Sequence, residues 1–241
     1  MSRRTASPIP PASITLRTVA GDTKRALVYA FEPLSAWCYA YRPEILDIAA
    51  AFEHELPLRI VCGGLITGAR ERPIREDQER IELEMGEVLR RSGIGFGKSF
   101  VQNLLREGSW VRRSEPACRA VLIAQELNGG HALEFANRLS HAVFWAGLRS
   151  DQPETISLAA TACGYDVERL MDLWRSPEAA DRTRLAFAEA RRHGVQSYPA
   201  LFLAEGDRWQ PVCSGYVRAR EAIPRIGAVL ENRPAGSSGA A

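Results

Sequence analysis

Cysteine pairs are the most informative absence from this sequence. The chain has five cysteines, and no two of them stand in a Cys-x-x-Cys spacing: Cys38, Cys62, Cys118, Cys163 and Cys213. An odd number of unpaired thiols indicates neither a disulfide framework nor a structural zinc site, so we expect reduced thiols. The four histidines are scattered, and no nucleotide or haem motif is present, so we predict no metal and no bound cofactor.

Long apolar runs and an excess of charge are also lacking. No stretch is apolar for long enough to cross a bilayer, and the first 21 residues lack the apolar core of a signal peptide. We therefore expect a cytoplasmic protein with no membrane partner. The 31 basic and 29 acidic side chains give a net charge of +2, which provides no argument for a nucleic-acid partner.

The stretch around which the chain is organised joins a strand to a helix. Residues 26–31 are short and apolar on both faces, which indicates a buried strand. Residues 39–54 have apolar side chains at helical spacing and contain Pro43, which predicts a kinked helix. Because the first N–H groups of a helix are unpaired, a hydroxyl or thiol in the intervening turn would lie in a local positive field.

The rest of the chain predicts a sheet interrupted by a helical block. Residues 58–62 form a second predicted strand, and the strand-helix-strand order implies a right-handed parallel unit. From about residue 75 to residue 193 the apolar spacing is helical almost throughout, with predicted helices at residues 79–91, 114–127, 131–148, 153–163, 167–174 and 177–192. Residues 200–213 then predict a hairpin, and residues 217–231 predict a closing helix.

Residues 32–39 read Glu-Pro-Leu-Ser-Ala-Trp-Cys-Tyr. This segment resembles the acidic-Pro-x-Cys-x-Trp-Cys-Tyr turn of the DsbA family, in its bacterial cytoplasmic branch. Three further segments carry the resemblance, which covers roughly residues 25 to 231: Gly63-Gly64-Leu65, Ser114-Glu115-Pro116-Ala117, and Gly194-Val195 with Tyr198-Pro199. It implies an α/β thioredoxin fold with a large all-helical insertion. Kappa-class glutathione transferases are a more distant resemblance.

The resemblance and the order of elements divide the chain into five segments. The insertion would separate the two halves of one thioredoxin fold. The predicted segments are a flexible N-terminus (1–23), the first half of the fold (24–66), the helical insertion (67–193), the second half with hairpin and last helix (194–232) and a disordered tail (233–241).

Ser35 stands where the family places its nucleophilic cysteine. A hydroxyl ionises far too weakly to replace a thiolate, so two-cysteine exchange at this turn is excluded. One explanation of Ser35 is that it only caps the following helix. The other comes from its resemblance to the serine of kappa-class glutathione transferases and related bacterial isomerases, whose hydroxyl donates a hydrogen bond to a bound thiolate.

Cys38 also has two explanations. It is either a buried structural thiol, the usual fate of a free cysteine, or a single-thiol site that forms a mixed disulfide with glutathione or a protein. The sequence does not decide whether Cys62 comes close enough in space to replace the missing first cysteine.

Four more positions are candidates for the site. The resemblance implies that Pro199 is the cis-proline facing the turn, and that the backbone at Tyr198 pairs with an extended substrate or glutathione. Trp37 and Tyr39 either line the cleft or pack in the core. The charged run at residues 70–80 predicts a solvated helix face, although its position after the two glycines also allows contact with an anionic ligand.

Three functions compete, and the sequence leaves enzymatic activity open. The first is a thiol-disulfide oxidoreductase, similar to protein-disulfide isomerases, reduced to single-thiol chemistry at Cys38. The second is a glutathione-dependent transferase or isomerase that uses Ser35. The third is a non-catalytic module that binds a client protein beside Pro199. In each case the expected partner is glutathione, as co-substrate, or a client protein.

Overall fold

The computed structural model describes residues 25–231, so the predicted segments 1–23 and 233–241 lie outside the described residues. One sheet has the strand order β2-β1-β3-β4. The pair β1 and β2 is parallel, and the other neighbours are antiparallel. The strands are β1 Arg25–Phe31, β2 Leu58–Cys62, β3 Ala200–Glu205 and β4 Arg208–Ser214. The predicted α/β architecture is confirmed.

The strand register brings three separate segments to one edge of the sheet. Phe31, the last residue of β1, pairs with Cys62, the last residue of β2, because the two strands run in parallel. Ala30 pairs with Ala200, the first residue of β3, because that pair is antiparallel. The turn after β1, the glycines after β2 and the residues that precede β3 therefore meet at this edge, as the site of an open α/β sheet requires.

The predicted kink of the first helix is a break between two helices. Helix α1, Ala36–Ala40, ends at Tyr41, and α2, Arg42–Ala51, begins directly after it. Pro43 lies in the first turn of α2. Because proline has no N–H group, it fits the first turn of a helix and would interrupt the hydrogen bonds of its interior.

A helical block connects the two halves of the sheet. Most of its helices match the predicted positions to within two residues. The helices that follow α2 are α3 Gln78–Ser92, α4 Ser114–Leu127, α5 Gly129–Phe144, α6 Pro153–Ala162, α7 Val167–Arg175, α8 Pro177–Arg192 and, after the hairpin, α9 Ala219–Glu231. Short 3-10 turns at Gly68–Arg70 and Ile74–Asp77 and a π-helix at Phe100–Arg106 were not predicted.

Helix α5 is shorter than predicted, because it ends at Phe144 rather than near residue 148. The chain from Gly97 packs against this end, and the Gly97 N–H donates to the Phe144 carbonyl at 3.0 Å. Gly147 follows with φ of 66°, and a Cβ atom there would clash with the backbone of Ser99. This tertiary contact, which helical periodicity does not show, stops the helix.

Two apolar clusters meet at the turn after β1. One cluster lies between the sheet and helices α2, α4 and α9, and contains Cys38 and Cys62. The other lies among α1, α3, the π-helix and α5, and contains Leu34 and Tyr39. The turn is therefore held by core packing on both sides. Within residues 25–231, no helix combines the length and apolar character needed to cross a membrane.

Candidate functional site

Ser35 lies directly before α1, in the turn that follows β1. Its backbone is extended, with φ of −91° and ψ of 119°, and its Oγ accepts the Cys38 N–H at 3.3 Å. This is the geometry of a helix N-cap, one of the two explanations that its sequence position allows. The bond occupies a lone pair of the oxygen, and the hydroxyl also lies beside the Cys38 thiol, where its hydrogen bond lowers the pKa of that thiol against the effect of burial.

Cys38 points away from solvent. Its side chain is fully buried, in the cluster that also contains Tyr41 and Ile45. Burial raises the pKa of the Cys38 thiol to about 12. Since the thiolate is the form that attacks disulfides, a thiol with this pKa is nearly inert at neutral pH. The structure thus gives the one cysteine of the turn the surroundings of a structural thiol.

Glu32 lies beneath the turn with its carboxyl group fully buried. One carboxyl oxygen accepts the Leu65 N–H at 2.9 Å, and the other accepts the Leu34 N–H at 3.3 Å. The Cys118 thiol lies 3.7 Å from Glu32 and donates to it. Burial raises the pKa of Glu32, and the hydrogen bond from Leu65 offsets part of that rise. The carboxyl group ties the turn to the segment after β2.

The buried groups under the turn form one set, which we call the thiol floor: Glu32, Cys38, Cys62 and Cys118. All three of its cysteines are free and buried. Cys62 interacts with Cys118 and is absent from the cleft lining, so the structure does not bring it to the place of the missing first cysteine. Glu32 belongs to the motif at residues 32–39 but has no predicted role, although an acidic residue at the end of an apolar strand is a signal for one.

Tyr198 and Pro199 lie across from the turn, and their peptide bond is cis. The Tyr198 hydroxyl extends over Gly63, where a Cβ atom would clash with it, so this close approach requires glycine. Burial raises the pKa of Tyr198, and the nearby Glu32 raises it further. The hydroxyl therefore stays protonated between the thiol floor and the cleft.

Trp37 and Tyr39 have different environments, although both were predicted as substrate-binding residues. Trp37 is partly exposed and lines the cleft, with the Arg91 guanidinium 5.3 Å from its ring centroid. Tyr39 is buried, and its ring packs against Phe96 and Phe144. Its hydroxyl donates to the Gly95 carbonyl at 3.0 Å. Tyr39 is therefore a packing residue in this structure, because α1 turns its side chain into the second apolar cluster.

The lining of the cleft also contains a group of charges that we call the arginine wall. Its members are Arg70, Arg72, Arg80 and Arg112, with Asp77 and Glu84. Asp77 accepts from Arg72 at 2.5 Å, from Arg80 at 3.4 Å and from Arg112. The hydrogen bonds from Arg72 hold the pKa of Asp77 down at about 2 against the effect of burial.

Sequence reasoning found only part of the arginine wall. The run at residues 70–80 was interpreted as a solvated helix face, with contact to an anion as the alternative. Arg70, Arg72 and Arg80 are exposed, as a solvated face requires, yet all three border the cleft. Arg112 was missed, because it stands in a loop about 30 residues further on and reaches Asp77 only through the tertiary fold.

The cleft between these groups has a volume of about 350 Å³. Leu34, Ser35 and Trp37 border it from the turn, and residues 196–198 border it from the segment before β3. Its mixture of apolar and polar groups is typical of a site for a small molecule. No group of three or more potential metal ligands occurs within residues 25–231.

Comparison with solved structures finds the same fold in several proteins. A protein from Nitrosomonas europaea, named provisionally as a protein disulfide isomerase, is 24% identical over 88% of this chain and all of its own, with a TM-score of 0.78. The cytosolic disulfide reductase DsbM from Pseudomonas aeruginosa is 23% identical over 86% of this chain and 98% of its own, with a TM-score of 0.71. DsbM has also been solved with glutathione.

A third neighbour is a 2-hydroxychromene-2-carboxylate isomerase, 16% identical over 86% of this chain and 93% of its own, with a TM-score of 0.56. No protein-family model matches the sequence, and no curated protein matches it significantly. At these identities the neighbours establish the fold. The DsbA-like thioredoxin fold with a helical insertion, predicted from the turn and three further segments, is confirmed.

Proposed function

We propose that this protein is a glutathione-dependent transferase or isomerase in which the Ser35 hydroxyl stabilises the thiolate of bound glutathione. The observation that carries the proposal is the contrast within the turn. Ser35, although only 4% exposed, lines the cleft, whereas Cys38 is fully buried and is absent from the cleft lining. The group available to a ligand is therefore a hydrogen-bond donor and not a nucleophile.

The alternative of single-thiol exchange has less support. With a pKa of about 12, the Cys38 thiol has a thiolate fraction on the order of 10⁻⁵ at neutral pH. The segment that carries it would also have to leave the core before a disulfide approached the sulfur. A purely binding role is consistent with the cleft but gives no reason for a hydroxyl in its lining.

The proposed chemistry requires a thiolate and an electrophile held side by side. Glutathione loses its thiol proton to solvent, and the Ser35 O–H donates to the resulting anion, which lowers the pKa of the bound thiol. The backbone at Tyr198 pairs with the peptide part of glutathione, and Trp37 covers one side of the site. The sulfur then attacks an electrophilic carbon; a leaving group departs in a transfer, or the sulfur itself departs in an isomerisation.

The neighbours of the same fold are compatible with this assignment. One of them has been solved with glutathione, and another is an isomerase. The oxidoreductases among them leave thiol-disulfide exchange as the competing assignment. Ser35 favours the glutathione-dependent function over thiol-disulfide exchange. A hydroxyl can donate a hydrogen bond to a bound thiolate, but it cannot replace the attacking thiolate of a dithiol pair.

The test compares two substitutions in the same turn. Ser35→Ala should lower kcat/KM for conjugation of glutathione to chlorodinitrobenzene by about 10- to 100-fold, and should raise the pKa of bound glutathione measured by thiolate absorbance. Ser35→Thr keeps a hydroxyl and should keep most activity. Cys38→Ala should leave turnover per folded molecule unchanged. Activity that depends on Cys38 and ignores Ser35 would overturn the proposal.

A further inference from the structure

The arginine wall holds more positive charge than its own acids neutralise. Four guanidinium groups and two carboxyl groups line the cleft here. Glu84 lies 3.6 Å from Arg80, and burial raises the pKa of Glu84, which weakens its contribution as an anion. Even with both acids ionised, the wall keeps an excess of two positive charges in a partly buried space, where an anionic ligand would be attracted strongly.

Two of these arginines have unused hydrogen-bonding capacity. Arg112 has a side-chain exposure of only 8%, and its Nε–H has no partner within the described residues, although its Nη2 reaches Asp77. Arg70 donates weakly to the Gly64 carbonyl at 3.4 Å, and no carboxylate of the described residues forms an ion pair with it. A carboxylate ligand would supply the hydrogen-bond acceptors that both the buried guanidinium of Arg112 and the unpaired guanidinium of Arg70 lack.

We infer that the arginine wall binds a carboxylate of the second substrate, so that the electrophile transferred or isomerised at Ser35 is an organic acid. The inference rests on the proposed function for the position of the sulfur. It adds the chemical class of the acceptor and names Arg70 and Arg112 as its specificity-determining residues. Asp77 serves as a positioning residue, because it fixes Arg72 and Arg112 in place.

The elements that carry the two groups explain why the wall is assigned to the acceptor and not to glutathione. A thiol with its sulfur at Ser35 and its peptide paired along Tyr198 lies against residues 196–198. The arginines belong to other elements of the same lining, namely the segment after β2, helix α3 and the loop before α4. This part of the lining is left for the molecule that reacts with the sulfur.

The first experiment measures binding, so that it does not depend on turnover. The full-length protein, saturated with S-methylglutathione, is titrated calorimetrically with dinitrobenzoate and with its neutral analogue dinitrobenzamide. The wild type should bind the acid at least about tenfold more tightly, because a charge-assisted hydrogen bond is available only to the carboxylate. Arg70→Gln should remove most of this preference without changing amide binding.

Two controls make the binding result specific. Arg70→Lys keeps the charge and should keep part of the preference. Arg175→Gln removes an arginine that is 59% exposed on α7, is paired with Asp172 and is absent from the cleft lining, so the preference should not change. Equal affinity for acid and amide, a preference that survives Arg70→Gln, or the absence of acid binding would overturn the inference. So would competition between the acid and S-methylglutathione, because the wall would then hold glutathione itself.

The second experiment separates failure of the inference from failure of the proposed function. Glutathione is offered chlorodinitrobenzoate or chlorodinitrobenzamide; in each reaction a carbon–sulfur bond forms, chloride leaves and the thiol proton goes to solvent. Arg70→Gln should raise KM for the acid about 10-fold, leaving KM for glutathione unchanged. No conjugation with either compound contradicts the function of Ser35, whereas conjugation without any preference for the acid contradicts the role of the wall.

Discussion

The thiol floor and the arginine wall lie on two sides of the same turn, and each is built around one buried carboxyl group. Glu32 is 0% exposed and Asp77 is 6% exposed, yet their pKa values shift in opposite directions. Glu32 accepts from backbone N–H groups and a thiol, which do not outweigh burial, whereas Asp77 accepts from guanidinium groups. The direction in which the pKa of a buried acid shifts is therefore set by its partners, so the two carboxyl groups respond differently to burial.

The largest expected difference is in thiol reactivity between a cysteine placed in the cleft and the buried Cys38 of the thiol floor. In Ser35→Cys the new thiol borders the cleft, and under reducing conditions its alkylation by iodoacetamide should be ~10³-fold faster than that of Cys38 in the wild type, given an ordinary thiol pKa of about 8.5. Peptide mass mapping after timed quenching gives both rates. Comparable rates at the two positions would mean that the floor is open to reagents, and the contrast between the two regions would be lost.

The next largest effect should be the loss of unfolding free energy when the Asp77 carboxyl group is removed from the arginine wall. Asp77→Ala leaves the buried Arg112 without its counter-ion, and the loss of a partner from a buried ion pair costs about 3–5 kcal/mol of unfolding free energy. Urea denaturation measures the loss. Asp181→Ala is the matched control, because its side chain is 67% exposed and pairs with Arg184 on the surface, so the change should stay within about 0.5 kcal/mol. A loss for Asp77→Ala as small as the control's would contradict the role given to Asp77.

Removing the Glu32 carboxyl group from the thiol floor should lower the unfolding free energy less, because its hydrogen-bond partners are uncharged. Glu32→Ala leaves the N–H groups of Leu65 and Leu34 without an acceptor, which corresponds to about 1–3 kcal/mol. Glu32→Gln keeps one carbonyl acceptor and should lose less. Urea denaturation of both variants checks the order. If Glu32→Gln were as unstable as Glu32→Ala, the negative charge would matter more than the hydrogen bonds.

The smallest expected effect is a difference in pH dependence between the two acids. The folded pKa of Asp77, about 2, lies below its ordinary value of 3.8, so its stabilisation is present above that value and is lost as the pH falls through about 2. The folded pKa of Glu32 is raised above 4.5, so its contribution is present at low pH and is lost as the pH rises from about 4.5 through the raised value.

Unfolding free energies measured across this acidic range should separate the two contributions. Asp77→Asn should flatten the loss of stability at the lowest pH, and Glu32→Gln should flatten the loss on the side of rising pH. A slope of the same sign from both carboxyl groups would contradict the different electrostatics of the floor and the wall.

Local chemistry explains why much of the fold was predictable. The apolar strand predicted at residues 26–31, the helical spacing between residues 75 and 193 and the hairpin predicted at residues 200–213 are local patterns, and the structure confirms them to within one or two residues at most of their ends. The π-helix at Phe100–Arg106 and the early end of α5 were missed. The early end of α5 depends on how residues 97–99 pack against it, and contacts between distant segments leave no periodic signal.

The candidate site likewise has features that local sequence predicts and features that depend on contacts between distant segments. Its position at the turn and the alternatives for Ser35 and Cys38 were available from local pattern and resemblance. The choice between cleft and core for Tyr39 could not be made from the sequence, because α1 is too short for its period to define a buried face. The contact between Arg112 and Asp77 was also out of reach, since it joins a loop to the start of α3 across the fold.

The sequence by itself determined the order of elements and the presence of a hydroxyl where a dithiol motif needs a thiolate, because side-chain identity and local periodicity are properties of the chain. Only the tertiary structure decided that Cys38 is buried, that the pKa values of Glu32 and Asp77 shift in opposite directions, and that four arginines share one cleft. Those properties depend on burial and on partners from distant segments, and only folding brings them together.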